Sequence, residues 1–285
     1  MKSLATAFKE VYGEALKEYG FKKVKGKYPY YARMVGDEIV HVITYATRPK
    51  QRDGFKEYIV LGGVATVYRA EMNFDIPVTQ NFAWLSSELE FYKKSNKYLS
   101  AEDYKKAFEN LYTFSYEENS EILMVESLKK SLEIINDIVL PTLNKINSLR
   151  ECIDFFGDFH PGLLVLNEYT DNVENYSDFA INEGLAQIKV FTAEQFDEYL
   201  KRVCAENEKH TRHLIKIGLS AYTEKMIKEE QNIINEYINN QTRIFSAAIN
   251  NQGSYNKLIN ELERRKENNT EILKEYGIID LYIQN

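Results

Sequence analysis

The sequence predicts an α+β protein, in which an N-terminal helix packs on a small antiparallel sheet and a mostly helical C-terminal region follows. Three observations predict this order. The first 20 residues repeat apolar side chains at the spacing of one helix face, and residues 28–69 contain three runs rich in Tyr, Val and Ile. Helical spacing returns from residue 100 onward. With 285 residues, the chain is long enough for one large or two modest domains.

Seven apolar residues on one face indicate the first helix. They follow the i, i+4, i+7, i+8 spacing and are Leu4, Phe8, Val11, Tyr12, Ala15, Leu16 and Tyr19. Gly20 comes next and is predicted to end this helix in a left-handed conformation, which lets Phe21 fold back onto Leu16. The following residues, FKKVKGK, are expected to form a short strand or a turn.

A hairpin is predicted next, with strands YPYYARMV and EIVHVITYA joined by a two-residue turn at Gly36 and Asp37. This turn would pair Met34 with Ile39, Ala32 with His41, Tyr30 with Ile43 and Tyr28 with Tyr45, all on one largely apolar face. We expect the first helix to cover that face. A third strand is expected at KEYIVLGGVATVYR, with a bulge at Gly62–Gly63.

The rest of the chain is predicted to be mostly helical. Residues 71–99 are compatible with either a strand or a short helix, and the sequence leaves residues 161–190 open. Ser100 is expected to cap one helix, and Pro141 to interrupt a helix over 120–139. Two further helix starts carry the spacing of a capping box: Ser148 with Glu151, and Thr192 with Gln195.

Later helices are expected at about 220–250 and 254–276, separated near Gly218 and Gly253. We therefore divide the chain into an α+β domain at 1–99 and a helical region at 100–285.

The two parts of the chain differ in charge. Residues 1–70 contain 13 Lys and Arg against 7 Asp and Glu, a net charge of +6, whereas the remaining residues contain 23 against 36, or −13. Such an asymmetry indicates either internal docking or an acidic partner. The acidic total of −7 argues against nonspecific DNA binding by the whole molecule.

Composition predicts a cytoplasmic protein of bacterial character. The start, MKSLATAFKEVYGEAL, lacks the apolar core of a signal peptide, and no apolar run reaches the ~20 residues that a membrane span needs. Cys152 and Cys204 lack CxxC spacing, so we expect two free thiols.

The N-terminal part resembles an uncharacterised family of bacterial proteins, a domain of unknown function. The residues that carry this resemblance are LKEYGFKKVKGKYPYYARMVGDEIVHVITYATR, the strand YIVLGGV and, more weakly, IVLPTLNKINSLRE at 138–151. The similarity covers about residues 1–156. It implies a fold with an N-terminal helix, a GFKK turn and an antiparallel sheet, and it implies no activity and no functional residue.

The histidines are the first candidates for chemistry. His41 is either a base or ligand in a cleft or, as we expect, a histidine at the edge of the core bonded to a neighbour. His210 and His213 have the HxxH spacing of a metal site, but a polar position in a helix–helix seam explains them better. Asp158 and His160 share a loop. Because no nucleotide-binding or nucleophile motif is present, we expect no cofactor, no metal site and no catalytic residue.

A basic set of residues forms the candidate binding surface. It consists of Lys22, Lys23, Lys25, Arg48, Lys50 and Arg52, with Lys27 nearby and Tyr28, Tyr30 and Tyr31 interleaved. Basic residues with exposed aromatic rings bind single-stranded nucleic acid, whereas the alternative is a solvated rim or a surface that docks on the acidic helical half.

We therefore expect a non-enzymatic binding or interaction protein, of the immunity or regulatory type, with a protein partner and no membrane contact. Two alternatives stay open. One is a hydrolase or nuclease whose carboxylates converge with His160 or His41 in the fold. The other is a binder of single-stranded nucleic acid that uses the basic set, which is the less favoured partner class.

Overall fold

The α+β architecture is confirmed. The structure is a computed structural model and describes residues 1–48, 53–69, 72–75, 83–84, 100, 102, 113–157, 186–218 and 223–279. An N-terminal helix is followed by an antiparallel sheet, and the C-terminal part is mostly helical. No helix within these ranges is long and apolar enough to cross a bilayer.

The elements occur in the following order along the chain. They are α1 (Leu4–Glu18), β1 (Lys22–Lys23), β2 (Tyr31–Val35), β3 (Ile39–Thr47), β4 (Phe55–Thr66), β5 (Ala83–Trp84), β6 (Thr113–Glu117), α2 (Glu121–Ile134), a π-helical turn (Ile135–Val139), α3 (Leu140–Leu143), α4 (Leu149–Gly157), a 3-10 turn (Ala186–Lys189), α5 (Ala193–Lys216), α6 (Glu224–Asn250) and α7 (Gln252–Glu275). The sheet order is β1-β2-β3-β4, and the long β4 then pairs with both β5 and β6.

The predicted end of the first helix is confirmed. Gly20 has φ +78°, its N–H donates to the Lys17 carbonyl at 3.0 Å, and the Phe21 N–H donates to the Leu16 carbonyl at 3.1 Å. This pair of bonds is a Schellman motif. Phe21 and Leu16 are both buried in the same apolar cluster. At the other end, the Ser3 hydroxyl accepts a hydrogen bond from the Thr6 N–H at 3.2 Å and caps the helix.

The same five residues, LKEYG, end the last helix in the same way. Gly277 has φ +76°, and the Ile278 N–H donates to the Leu273 carbonyl at 2.9 Å. This second cap docks beside the residues that follow the first one, because the Lys25 N–H donates to the Tyr276 carbonyl at 3.0 Å. The recurrence in the sequence therefore marks two equivalent helix ends, the second of which docks on the segment that follows the first.

The predicted hairpin exists, but its register is wrong by one residue. Val35 pairs with Ile39 and Ala32 pairs with Val42, so the connection has three residues, 36–38, rather than two. A one-residue shift in register changes which side chains of the two strands lie on the same face of the sheet. As a result, Tyr31 shares a face with Ile43, whereas the predicted partner Tyr30 points to the other side of the sheet.

Both faces of the sheet are buried, which explains why neither face of the hairpin is polar. The first face is covered by α1 and α2, and its buried members in the sheet include Tyr31, Ile39, His41, Ile43, Tyr58, Val60, Val64 and Tyr116. The second face is covered by the C-terminal helices, and its buried apolar members in the sheet include Ala32, Val40, Val42 and Ala65. The first helix thus covers only half of the residues that the predicted register assigned to it.

The third strand is confirmed, but the bulge predicted within it is absent. The pairing of β3 with β4 runs one to one from Ile39–Thr66 to Thr47–Tyr58, and it passes through Gly62 and Gly63 without an extra residue. The strand β6 is not among the predicted elements, because the sequence predicts a helix after Ser100. It extends the sheet beyond the predicted boundary at 99/100, and the division into two domains stays a prediction.

Pro141 changes the helix without ending it. The chain passes from α2 through the π-helical turn into α3, where Pro141 lies in the first turn. A proline has no N–H and its ring crowds the carbonyl four residues earlier. The wider turn, in which the Leu140 N–H bonds to the Ile135 carbonyl, accommodates that loss.

Both predicted capping boxes lie at helix starts. The Glu151 N–H donates to the Ser148 hydroxyl at 3.2 Å, although the Glu151 carboxylate accepts from the Asn147 N–H rather than from that of Ser148. At the start of α5, Thr192 and Gln195 make both reciprocal bonds. Helices α6 and α7 match the predicted runs, with Asn251 as the cap between them.

We predict that replacing Gly20 by Val destabilises the protein by about 1–2 kcal/mol, because a β-branched residue is strained in the left-handed region. Asn tolerates this region better, so Gly20→Asn serves as the matched control and should cost less. Urea unfolding of the three proteins measures the difference. Equal unfolding free energies for Gly20→Val and the parent would contradict the role of the cap.

We predict that reductant leaves the melting temperature unchanged. Both cysteines are free thiols in the structure, and burial raises the pKa of Cys152 to about 12. Because a buried neutral thiol is inert, Cys152 should form no bond with Cys204. Calorimetric scans with and without dithiothreitol test this, and a clear drop in the reduced sample would show that a disulfide forms.

Candidate functional site

His41 lies fully buried on the first face of the sheet, between β2 and the residues that follow α3. Its Nε2 lies 2.7 Å from the Ile146 carbonyl, and its Nδ1 lies 3.3 Å from Nε and 3.2 Å from Nη2 of Arg33. A carbonyl can only accept and a guanidinium can only donate. His41 is therefore the neutral tautomer that donates from Nε2 and accepts at Nδ1.

The Arg33 side chain also donates to two further acceptors, one a backbone carbonyl and the other a side-chain oxygen. Nη1 donates to the Tyr19 carbonyl at 2.7 Å, Nη2 donates to Oδ1 of Asn144, and the guanidinium stacks on the Phe21 ring at 4.6 Å. Burial, together with the positive charge of Arg33, lowers the pKa of His41 to about 4. Both ring nitrogens are occupied, so His41 is a structural residue bonded to its neighbours, and the enzyme alternative loses it as a base.

The described members of the basic set belong to two segments of the chain, one at the edge strand β1 and the other after β3. Lys22 and Lys23 form β1, and Lys25 follows them. Arg48 follows the end of β3; its Nη2 donates to the Thr113 hydroxyl at 3.1 Å and its N–H donates to the Glu57 carbonyl at 3.1 Å. Lys50 and Arg52 lie outside the described residues.

The aromatic residues interleaved with the basic set do not form an exposed stacking surface. Tyr30 is fully buried against Phe74, and Tyr31 is buried against Phe8 on the opposite face of the sheet. Tyr28 is partly buried and lies beneath Nζ of Lys27 at 5.5 Å from the ring centre. Because stacking needs open ring faces, these tyrosines give single-stranded nucleic acid no platform.

Part of the N-terminal positive charge is used inside the molecule. The Lys25 side chain lies against the C-terminal end of α7, where a Cβ added to Gly277 would meet its Cε at 3.1 Å. A cation at this position faces the negative end of the helix dipole. Lys2 pairs with Glu121 at 3.5 Å, and Lys56 pairs with Glu118 at 2.6 Å. These exposed pairs contribute little energy individually, but they join the basic segment to the acidic remainder.

The remaining histidine candidates assemble no metal site within the described ranges. His210 and His213 lie on α5, and no group of three or more His, Cys, Asp or Glu residues in the described part of the chain converges as metal ligands do. His210 continues the spacing of Phe196, Leu200 and Val203 along α5 and is partly buried, and its place in a helix–helix seam stays a prediction. Asp158 and His160 lie outside the described residues.

Helices α5 and α6 form an antiparallel hairpin whose inner half belongs to the core. Phe196 stacks on Phe245 with the ring centres 4.2 Å apart, and the Thr242 hydroxyl donates to Oδ1 of Asp197 at 3.1 Å. The far end is joined by Arg212, which bonds to Glu208 on its own helix and to Glu224 at the start of α6. The two helices therefore run side by side over nearly their whole length.

The outer half of this hairpin is much less buried than the inner half. We call residues 204–218 and 223–237 the outer arm; it extends about 20 Å at 1.5 Å per residue. Among its described side chains only Ile227 is buried. Met226 is 39% exposed and Ile233 is 48% exposed, and they lie seven residues apart on one face of α6.

The sequence contained a signal for this surface. Ile227, Ile234 and Ile238 follow helical spacing and form the apolar stripe of α6 that faces α5. Met226 and Ile233 are apolar residues that lie outside this stripe. Apolar residues off the buried stripe of a long helix indicate a second contact surface. Met226 and Ile233 are not among the candidate residues predicted from the sequence.

A scan against protein-family models, a search of the curated proteins and a search of the solved structures each returned no match. The resemblance of residues 1–156 to an uncharacterised bacterial family therefore stays a prediction. The function rests on the geometry alone.

We predict that stability falls between pH 7 and pH 4.5 because His41 must gain a proton. The pKa of His41 in the folded state, about 4, lies below the ordinary 6.5. The contribution of neutral His41 to the free energy of unfolding is therefore complete above pH 6.5 and is lost as the pH falls toward 4. The expected loss over this interval is about 2 kcal/mol. Urea unfolding at both pH values measures it.

His41→Gln should be less stable at pH 7 and should lack most of this pH dependence. His213→Gln, on a partly exposed face of α5, is the matched control and should keep it. If His41→Gln shows the same loss as the parent between these pH values, another group is responsible.

Proposed function

We propose that this protein is a non-enzymatic interaction protein of the cytoplasm, which binds a helix of a partner protein along the outer arm. The exposed pair Met226 and Ile233 carries this proposal. Two apolar residues spaced by seven offer successive contacts to a helix that lies parallel to α6, as in a coiled coil. The unbranched Met side chain adapts to partners of different shape.

The charge of the outer arm favours a protein partner over nucleic acid. The arm contains five Lys and Arg against six Asp and Glu, so it has no positive excess for phosphate contacts. Its framework is well defined, since Thr223 caps α6 and Arg212 links the two helices. A firm two-helix element with exposed apolar residues presents its contacts at little entropic cost.

The structure of the other candidate surfaces supports the same choice. His41 is occupied by Ile146 and Arg33, which leaves the enzyme alternative without it. Tyr30 and Tyr31 are buried, which leaves the nucleic-acid alternative without two of its three aromatic rings. The basic set then serves to dock the N-terminal part on the helices, as Lys25 does at the end of α7.

We predict that a photo-crosslinking residue at position 229, on the exposed face between Met226 and Ile233, forms a discrete adduct with a partner protein in cells. The same residue at exposed position 130 on α2 is the positional control. Changing both Met226 and Ile233 to Asp should reduce the adduct more than tenfold, because two charges would be buried against the partner helix.

Lys228→Asp places a negative charge on another face of α6 and should leave the adduct intact. All variants should melt close to the parent, since the changed side chains are exposed. Equal adduct yield at positions 229 and 130, or an adduct that survives the double substitution, would rule out this surface. An adduct that contains two copies of this chain would show that the outer arm binds a second copy of the protein rather than a different partner.

A further inference from the structure

Two acidic side chains border the exposed apolar pair on α6. Glu229 lies three residues after Met226 and four before Ile233, and Glu236 lies three residues after Ile233. At about 100° of turn per residue, these spacings place both acidic residues roughly 40–60° from the apolar pair, on the same side of it. Both are exposed, like the apolar pair itself. This face of α6 is therefore an apolar line with an acidic border.

The two lysines in the outer half of α6 leave this acidic border available. Lys228 is exposed on another side of the helix, about 140–160° around the axis from the apolar pair. Arg212 of α5 bonds to Glu224, which lies on the same side of α6 as Lys228. Lys225 meets Glu229 at 3.4 Å, but the two side chains are 84% and 60% exposed. A pair so solvated contributes little energy, so the Glu229 carboxylate stays available to a second cation.

The acidic border disfavours a second copy of the chain as the occupant of this face. If α6 packed on α6 of another copy, the two apolar pairs would have to overlap. A parallel pairing would place Glu229 opposite the same residue of the other copy, and an antiparallel pairing would do so at its midpoint. Like charges that face each other destabilise a helix pair. The face therefore favours a partner of opposite charge.

We propose that the partner of the outer arm is a basic amphipathic helix. Its apolar side chains would cover Met226 and Ile233, and its Lys or Arg side chains would pair with Glu229 and Glu236. This inference rests on the proposed function, because it names the chemistry of the partner at the same surface. Charged residues beside an apolar seam set partner choice and orientation in coiled coils. They also make association faster at low salt than at high salt.

Two synthetic amphipathic peptides test the charge of the partner. Both carry Leu at the a and d positions of successive heptads; one carries Lys at the e and g positions and the other carries Glu. Each is labelled, kept far below the concentration of the full chain and followed by fluorescence anisotropy. At low salt the basic peptide should bind about tenfold more tightly than the acidic peptide, and the difference should shrink as salt is added.

A charge-reversed variant, Glu229→Lys with Glu236→Lys, should invert the order of the two peptides. Glu126→Lys with Glu133→Lys is the matched control, since it makes the same change in net charge at two exposed positions seven residues apart on α2. This control should keep the parental order. Equal affinities for the two peptides, or a parental order that survives the charge reversal at α6, would overturn the basic partner.

Failure of this inference can be told apart from failure of the proposed function. Equal binding of both peptides that Met226→Asp with Ile233→Asp abolishes would overturn the basic partner and retain the outer arm as the docking surface. Binding that survives this double substitution would lie elsewhere on the molecule and would count against both. If neither peptide binds, the basic partner is overturned, and the adduct formed in cells decides on the outer arm by itself. Self-association of the unlabelled chain through this face would overturn it in favour of a second copy.

Discussion

The nine-residue pairing of β3 with β4 is the constraint on which the rest of the structure depends. It runs without a bulge, so the side chains of both strands alternate strictly between the two faces of the sheet. Each face carries enough buried apolar residues to require its own helical cover. The N-terminal helix supplies one cover together with α2, and the C-terminal helices supply the other. One strand pair thereby fixes where both helical layers must lie.

Buried polar groups orient these layers more specifically than apolar contact would. Helices α1 and α2 run parallel. Lys2 contacts Glu121 and Tyr12 contacts Ser131, and the partners in both contacts are 119 residues apart, so the two helices advance in the same direction. Ser131 donates to the Leu128 carbonyl and so accepts from Tyr12 at 2.6 Å. A buried hydroxyl or amide without its partner costs about 1–3 kcal/mol. A rotated or shifted helix would incur that cost at several positions at once.

The helix ends could be predicted from the sequence because their signals are local. Gly20, Ser148 and Thr192 each act through residues within five positions, and the structure places a helix end or start at all three. The hairpin register could not be predicted in the same way. The choice between two and three residues at the turn depends on which face each helix covers, and that is a property of the whole fold. The strand at Thr113–Glu117 depends likewise on its distant partner, β4.

Helix α7 is synthesised long after the strands that it helps to cover. About 209 residues separate the end of β4 from the end of α7. At roughly 5–20 residues per second, the ribosome needs roughly 10–40 s to synthesise them. Throughout that interval Val40, Val42 and Ala65 lack part of their eventual cover. The nascent chain therefore exposes an apolar strand surface for seconds to tens of seconds, the period in which transient apolar surface favours association with other chains.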